Sequence, residues 1–163
     1  MRAVIQRVAQ AAVTVEGREI ASMNRGLLVL LAAGQGDTES DVQWMIEKII
    51  NLRVFPDDQG KMNRSLLEVK GDMIAVSQFT LYGDCRKGRR PSFAHALEPQ
   101  AAENLCALFV AQIRTRGIPC GTGTFGAHMM VSLVNDGPVT LLVDSAVSRR
   151  SGNVGFADLD LAI

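Results

Sequence analysis

Ser77, Thr80, His95 and His128 are side chains of the types that perform nucleophilic catalysis. A hydroxyl is a weak nucleophile, so a serine or threonine hydrolase needs a base beside it. Ser77 lies in no Gly-x-Ser-x-Gly turn, the motif that exposes the nucleophile of α/β-hydrolases. Nothing in the spacing brings a histidine to Ser77. A serine esterase that depends on His95 or His128 therefore stays open as an alternative, without a motif to support it.

Metal, disulfide and phosphate chemistry find less support. Cys85, Cys106 and Cys120 are widely spaced and form no Cys-x-x-Cys pair. We therefore expect no disulfide framework, no bound metal and no cofactor, and the unpaired cysteines favour the cytoplasm. Residues 121–126 match Gly-x-Gly-x-x-Gly. Strand-like residues follow them instead of the helix that would bind a phosphate, so we expect a plain loop.

Two short segments are not explained by packing alone. Residues 77–80 are polar at three of four positions and follow directly on a buried-strand pattern at residues 73–76. Strand ends are where a rigid scaffold commonly presents functional groups. Gly137-Pro138 separates two apolar runs, and its proline removes a donor from any sheet there. From residue types alone, both a structural and a functional role stay open for each segment.

The densest cluster of positive charge is a basic loop, residues 85–91, with Arg86, Lys87, Arg89 and Arg90. The formal net charge of the chain is +0, so attraction to a polyanion would have to be local to this loop. The cluster fits contact with nucleic-acid phosphates, and it also fits a solvated loop. A non-catalytic module that binds nucleic acid through this loop is a second alternative.

The apolar pattern predicts one α+β domain with largely antiparallel sheets and two main helices. The first helix is capped by Thr38 or Ser40 and the second begins at Pro99. Their expected buried faces are Val42, Met45, Ile46, Ile49 and Ile50, and Ala102, Leu105, Cys106, Phe109 and Ile113. Residues 135–138, Asn-Asp-Gly-Pro, by themselves predict a hairpin turn.

The ends of the chain lead to two further expectations. The longest apolar run, residues 27–33, is too short to cross a bilayer, and Gln6 and Arg7 interrupt any signal-peptide pattern. We therefore expect no membrane segment. From residue 144 onward the chain becomes polar and contains glycine. We predict a domain at residues 1–144 and a flexible C-terminal extension at residues 145–163.

Three motifs carry a family resemblance. Residues 76–81 (Val-Ser-Gln-Phe-Thr-Leu), residues 131–140 and the opening residues 5–8 resemble D-aminoacyl-tRNA deacylase, the D-tyrosyl-tRNA deacylase family. Residues 60–63 and 90–93 are also similar to that family. The match is collinear from Met1 to about Val143. The extension lies beyond the residue at which members of the family usually end, so the resemblance implies no role for it.

The resemblance implies an activity and an assembly. The family hydrolyses the ester of D-aminoacyl-tRNA at its 3′ end, and it also acts on glycine mischarged on tRNA(Ala). Its members are homodimers with a compact, barrel-like sheet and the active site at the subunit interface. By similarity, the Gly137-Pro138 peptide is cis and enters the partner's site. There its carbonyl groups would hold the substrate amino group and leave no room for an L side chain.

The resemblance also assigns residue roles. Ser77, Gln78, Phe79 and Thr80 would form the catalytic wall, Arg7 would orient the carbonyl groups of Gly137 and Pro138, and Asn135 would belong to the chiral-selection segment. Backbone N–H groups of Phe79 and Thr80 are candidates for stabilising the oxyanion, with the tRNA ribose hydroxyl activating water. A nucleophilic Thr80 hydroxyl stays open. The basic loop would contact tRNA, and both histidines would be dispensable.

Overall fold

The structure is a computed structural model that describes residues 1–150, with side chains to residue 147. The strands are β1 (Arg2–Val15), β2 (Arg18–Met23), β3 (Gly26–Ala32), β4 (Phe55–Pro56), β5 (Met62–Arg64), β6 (Asp72–Ser77), β7 (Cys120–Thr122) and β8 (Met129–Asp144). The helices are α1 (Glu39–Asn51), α2 (Leu66–Val69), α3 (Pro99–Thr115) and α4 (Ser145–Arg150), with a 3-10 helix at Phe79–Tyr82.

Strand β1 organises the main sheet because it pairs with three other strands. On one edge its residues 2–8 pair with β3 and its residues 11–15 pair with β2, while β8 pairs along the other edge. These pairings are antiparallel. Strands β3, β6 and β7 pair in parallel, because the connections between them contain α1 and α3 and run back along the sheet. Strand β2 also contacts β6 and β7, so the sheet is nearly closed into a barrel.

This architecture confirms the predicted single α+β domain with two main helices and a barrel-like sheet. The sheet is mixed, since two of its pairings are parallel. All five residues of the predicted α1 stripe are buried, and Thr38 caps the helix. On α3, Ala102, Phe109 and Ile113 are buried as predicted, together with Val110. Helices α1 and α3 cover one face of the sheet, and this layer forms the larger part of the core.

The hairpin predicted at residues 135–138 is wrong. Strand β8 runs without reversal from Met129 to Asp144. Thr140 pairs with Gln6 and Asn135 pairs with Val8, so four residues of β8 face the single residue Arg7 of β1. We call residues 136–139 the bulge. The turn-forming residues bend the strand outward here because both flanking apolar runs find their partner in β1.

The C-terminal prediction lies mostly outside the described residues. Residues 145–150 form α4, and Ser145 is buried, where its hydroxyl contacts both the amino group of Met1 and Asp41. Residues 151–163 of the predicted extension fall outside the described part of the chain. In residues 1–150, no helix has the length and apolar character needed to span a membrane.

Candidate active site

Residues 77–80 lie where β6 ends and the 3-10 helix begins. Ser77 is the last residue of β6, and the Gln78 N–H donates to the Leu31 carbonyl at 2.8 Å. Phe79 starts the 3-10 helix. The first N–H groups of a helix have no partner within it, so those of Phe79 and Thr80 remain available to an acceptor. Two backbone donors therefore lie at the surface just beyond the end of the strand.

The side chains of this segment surround those donors. The Gln78 amide Nε2 donates to the Thr80 hydroxyl. The Phe79 ring is 56% exposed and packs edge-on against Phe93, with 5.1 Å between ring centroids. The segment thus combines backbone donors, a hydroxyl that accepts a hydrogen bond, and an exposed aromatic wall.

A cavity of about 280 Å³ opens beside Ser77. Its walls are mostly apolar, with Ser77, Glu103, Arg114 and Thr122 as its polar members. Its other lining residues include Leu31, Val76, Cys106, Val110 and Phe125. Burial raises the pKa of the Cys106 thiol to about 11, so this thiol stays protonated near neutral pH and is a poor nucleophile. The cavity suits a flat, largely apolar group.

The bulge of β8 is held by side chains at both ends. The Val139 N–H donates to Asn135 Oδ1 at 3.0 Å, and Asn135 Nδ2 donates to the Thr140 hydroxyl at 2.9 Å. Gly137 has φ +126° and is joined to Pro138 by a cis peptide, and both residues are exposed. Asn135 therefore spans the bulge while leaving the Gly137-Pro138 main chain open to contact.

Arg7 supports the bulge from beneath. Its side chain is buried, and its Nε donates to the Asp136 carbonyl at 3.1 Å and lies 3.2 Å from Asp136 Oδ2. Its Nη1 donates to the Val54 carbonyl. The carbonyl of the bulge that Arg7 contacts is that of Asp136, one residue before the Gly137 and Pro138 carbonyls that were predicted as its partners. The guanidinium nevertheless fills the space beside Gly137, where an added Cβ would lie 2.8 Å from Nη2.

Residues 77–80 and the bulge lie far apart within a single protomer. Ser77 pairs with Leu31 and Leu31 pairs with Ala3, whereas the bulge faces Arg7. At ordinary strand spacings the two sites are about 14 Å apart across the sheet and about 13 Å apart along it. No hydrogen bond or ion pair joins them in residues 1–150.

The basic loop lies next to residues 77–80. Backbone bonds between Asp84 and Ser92 close the loop, and Phe93 then packs on Phe79. The Arg86 guanidinium donates two hydrogen bonds to Asp84 and holds the pKa of that carboxyl well below its usual range. The other three cations, Lys87, Arg89 and Arg90, are exposed, and none forms an ion pair within the described residues.

The two histidines lie apart from this chemistry. His95 and His128 are exposed, and in the described part of the chain neither imidazole is hydrogen-bonded to Ser77 or Thr80. Residues 1–150 also hold no group of three or more side chains suited to a metal ion. Within residues 1–150, the geometry therefore pairs neither hydroxyl with a histidine that could serve as the base of a serine esterase.

The cavity and the packing of Phe93 are not predicted from the sequence. Helical periodicity predicts which face of α3 packs inward. It does not predict that a cavity remains beside Cys106 and Val110 on that helix. Phe125 offered a signal, since it is an aromatic residue in a loop otherwise made of glycine and threonine. Phe93 lies in residues 90–93, a segment that is similar to the family. In that segment a role was predicted only for Arg90, as part of the basic loop.

The comparisons with known proteins show the family of the chain. Residues 4–144 match the family model described as D-Tyr-tRNA(Tyr) deacylase. Among curated proteins, the D-aminoacyl-tRNA deacylase of Clostridioides difficile (strain 630) is 55% identical over 91% of this chain and 99% of its own. That of Myxococcus xanthus (strain DK1622) is 59% identical over 89% of this chain and 95% of its own.

Solved structures agree as well. One titled c-Myc DNA Unwinding Element Binding Protein has a TM-score of 0.84 and 41% identity, covering 88% of this chain and 98% of that one. A probable eukaryotic D-amino acid tRNA deacylase shares the fold, with a TM-score of 0.75 at 20% identity, covering the same 88% and 98%. The fold and these matches assign the chain to the hydrolases that act on ester bonds. It belongs to the D-Tyr-tRNA(Tyr) deacylase family.

Proposed function

We propose that this chain hydrolyses the ester between a D-amino acid and the 3′-terminal ribose of tRNA, in the cytoplasm, releasing free D-amino acid and tRNA. Glycine mischarged on tRNA(Ala) is a second substrate. The observation that carries the proposal is the 3-10 helix that begins at Phe79 beside an apolar cavity. It offers oxyanion donors and a binding wall in a chain that belongs to a deacylase family.

The proposed chemistry needs no titratable protein base. An aminoacyl ester is already activated, so stabilising the negative charge of the tetrahedral intermediate is the main task. The N–H groups of Phe79 and Thr80 perform it, and the neighbouring ribose hydroxyl of the substrate activates water. The Thr80 hydroxyl accepts a hydrogen bond from Gln78, and no histidine or carboxylate of the described residues is hydrogen-bonded to it. These contacts favour backbone catalysis over a threonine nucleophile.

The cavity beside Ser77 would hold the terminal adenosine. A purine is flat and largely apolar on its faces, and aromatic and aliphatic walls suit it. Val110 and Phe125 supply such walls, and Glu103 and Arg114 are the charged side chains that line the cavity. Binding the base here would bring the ribose, and the ester on it, toward the N–H groups of residues 79 and 80.

The proposed active unit is a homodimer in which the bulge of one protomer enters the site of its partner. Within one chain the two segments are too far apart to touch a single amino acid. Strand β8 pairs only with β1 among the described strands, so its other edge is open. It also exposes Met130, Val134 and Leu142. An apolar strand with an open edge is typical of an interface.

Handedness would be sensed by main chain instead of by a side-chain pocket. A methylene difference in a pocket is worth about 1–3 kcal/mol, whereas a 10⁴-fold preference needs about 5.5 kcal/mol. The bulge is held by Asn135 and by buried Arg7, so it cannot move aside as a rotamer would. An L side chain is excluded, a D side chain points away from the bulge, and glycine passes because it has none.

The test compares D-tyrosyl-tRNA with L-tyrosyl-tRNA as substrates of the purified protein. We expect fast release of D-tyrosine and negligible release of L-tyrosine, with D-tyrosine release accelerating at protein concentrations that favour dimers. Equal rates for the two would reject chiral selection by the bulge. Tight binding of tRNA with both esters intact would instead favour a non-catalytic nucleic-acid-binding module.

The basic loop leads to a separate prediction about salt. We expect alanine at Lys87, Arg89 and Arg90 together to weaken tRNA binding and to flatten its dependence on ionic strength. Each phosphate contact contributes about 0.7–0.9 to the slope of log K against log salt, so the slope should fall by about 2–3. The measurement is the tRNA dissociation constant across a salt series.

The control for this prediction removes three positive charges elsewhere. Alanine at Arg18, Lys48 and Lys70 changes the net charge equally and should leave most of the slope in place. If both triple variants flatten the slope to the same extent, the effect is one of overall charge and the basic loop is no RNA contact.

A further inference from the structure

Arg2 joins three structural elements through a single guanidinium. Its Nε donates to Asp144 Oδ2 at 2.8 Å, across from it on β8. Its Nη1 donates to the Leu81 carbonyl at 3.1 Å, and its Cζ lies 4.6 Å from the centroid of the Tyr82 ring. Leu81 and Tyr82 are the last two residues of the 3-10 helix that begins at Phe79. Arg2 therefore ties the end of that helix to the barrel.

Tyr82 is fixed from the opposite side. Its hydroxyl donates to Asp37 Oδ2 at 3.2 Å, and its ring lies against Gly34, where an added Cβ would overlap it. The same Asp37 oxygen accepts the Gly34 N–H at 2.6 Å. Burial, reinforced by the Asp37 charge, raises the pKa of Tyr82. The phenol therefore stays neutral and keeps its proton for this hydrogen bond.

The other end of the 3-10 helix has far less support. Phe79 and Thr80 are exposed, and that side is held by the Gln78 N–H bond to Leu31 and by the edge-on contact of Phe79 with Phe93. A helix of four residues has few internal bonds of its own. The orientation of its first N–H groups consequently depends on how firmly Leu81 and Tyr82 are held.

We propose that Arg2 is a positioning residue for the reaction: by clamping Leu81 and Tyr82 it sets the direction of the Phe79 and Thr80 N–H groups. The inference rests on the proposed function, because those groups are the oxyanion donors there. In this proposal Arg2 acts through Leu81 and Tyr82 and not by contact with the substrate. Its effect is on the turnover step, since small displacements of a catalytic group lower the rate of the reaction steeply.

The clamp requires arginine and not merely a positive charge. A planar guanidinium donates in two directions while its face stacks on an aromatic ring, and an ammonium does not. Lysine at position 2 would keep the cross-strand ion pair with Asp144. It would lose either the stacking on Tyr82 or the bond to the Leu81 carbonyl. Arg2→Lys therefore separates the clamp from the simple stabilisation of β1 against β8.

The experiment measures kcat, KM and the thermal unfolding midpoint of the full chain with D-tyrosyl-tRNA for Arg2→Lys and Arg2→Ala. We expect both to lower kcat about tenfold to a hundredfold, with KM within about twofold. Arg2→Lys should recover the unfolding midpoint without recovering kcat. Arg18→Ala, at an exposed arginine of β2, should leave both unchanged. If lysine restores kcat together with the midpoint, or if kcat does not change in either variant, the proposal is overturned.

A second readout does not require activity. Hydrogen exchange of the Leu81 and Gly83 backbone amides, which donate to the Gln78 and Thr80 carbonyls, should accelerate in Arg2→Lys and in Tyr82→Phe, and not in Arg18→Ala. Unchanged exchange in both variants would overturn the clamp even in an active enzyme. If the wild-type chain releases no D-tyrosine, the proposed function fails, while faster exchange would still support the clamp. A variant Arg2→Ala that does not fold leaves the lysine and phenylalanine variants to decide.

Discussion

Gly137→Val is expected to reduce the hydrolysis of D-tyrosyl-tRNA by at least about a hundredfold. Gly137 has φ +126°, a conformation that a β-branched residue strongly disfavours. A Cβ added there would lie 2.8 Å from Arg7 Nη2 and 2.9 Å from Val139 Cγ2. The bulge must move to accommodate it, so the main chain proposed to meet the substrate amino group is displaced. The measurement is kcat/KM, with circular dichroism to monitor folding.

The fold should survive this substitution. Gly137 is exposed, and β8 remains paired with β1 on both sides of the bulge. Gly17→Val is the matched control, since Gly17 has φ +77° and an added Cβ there meets nothing within 4 Å. It shares the backbone strain without the collision, and its turnover should stay near that of the wild type. Normal turnover of folded Gly137→Val would remove the bulge from the active site.

Phe79→Pro is expected to lower kcat by about 10²–10³-fold relative to Phe79→Ala, the loss typical of removing one oxyanion donor. Phe79 is the first residue of the 3-10 helix, a position that tolerates proline, and Gln78 before it is not helical, with φ −146° and ψ 74°. Its N–H has no partner within the helix. The substitution therefore removes the proposed catalytic donor without removing an intrahelical hydrogen bond.

The alanine variant separates the donor from the ring. Both substitutions lose the contact between Phe79 and Phe93, but only proline loses the N–H group. Single-turnover rates at saturating enzyme compare the two, and their unfolding midpoints should be similar. Equal rates would mean that another group stabilises the oxyanion, and the Thr80 hydroxyl would be the next candidate.

Much of the fold could be predicted from local pattern. The stripe on α1 recurs at helical spacing, and all five of its members are buried because one helix face meets the sheet. Residues 27–31 form an unbroken apolar run, and β3 is buried almost throughout because helices cover one face and the barrel interior lies on the other. Residues 77–80 were identified by polar types following a buried strand, where the 3-10 helix begins.

The features that were predicted wrongly or not at all depend on contacts between parts of the chain that are distant in sequence. Asn135, Asp136, Gly137 and Pro138 have the composition of a turn, and nothing local reveals that the runs on both sides pair with β1. The contact of Arg7 with Asp136 follows from that pairing. The clamp of Arg2 joins residues far apart in sequence. Side-chain types suggested candidates, but sheet register determined which of them meet.

The pairing of β8 on both sides of the bulge has a consequence for binding affinity. A recognition loop that joins two separate elements must be ordered when its ligand arrives, and the entropy lost weakens the complex. Here the four residues 136–139 span a gap between paired positions, with Asn135 bonded across them. Little freedom is left to lose, so under the proposed function the contact energy of the substrate amino group would be available for discrimination.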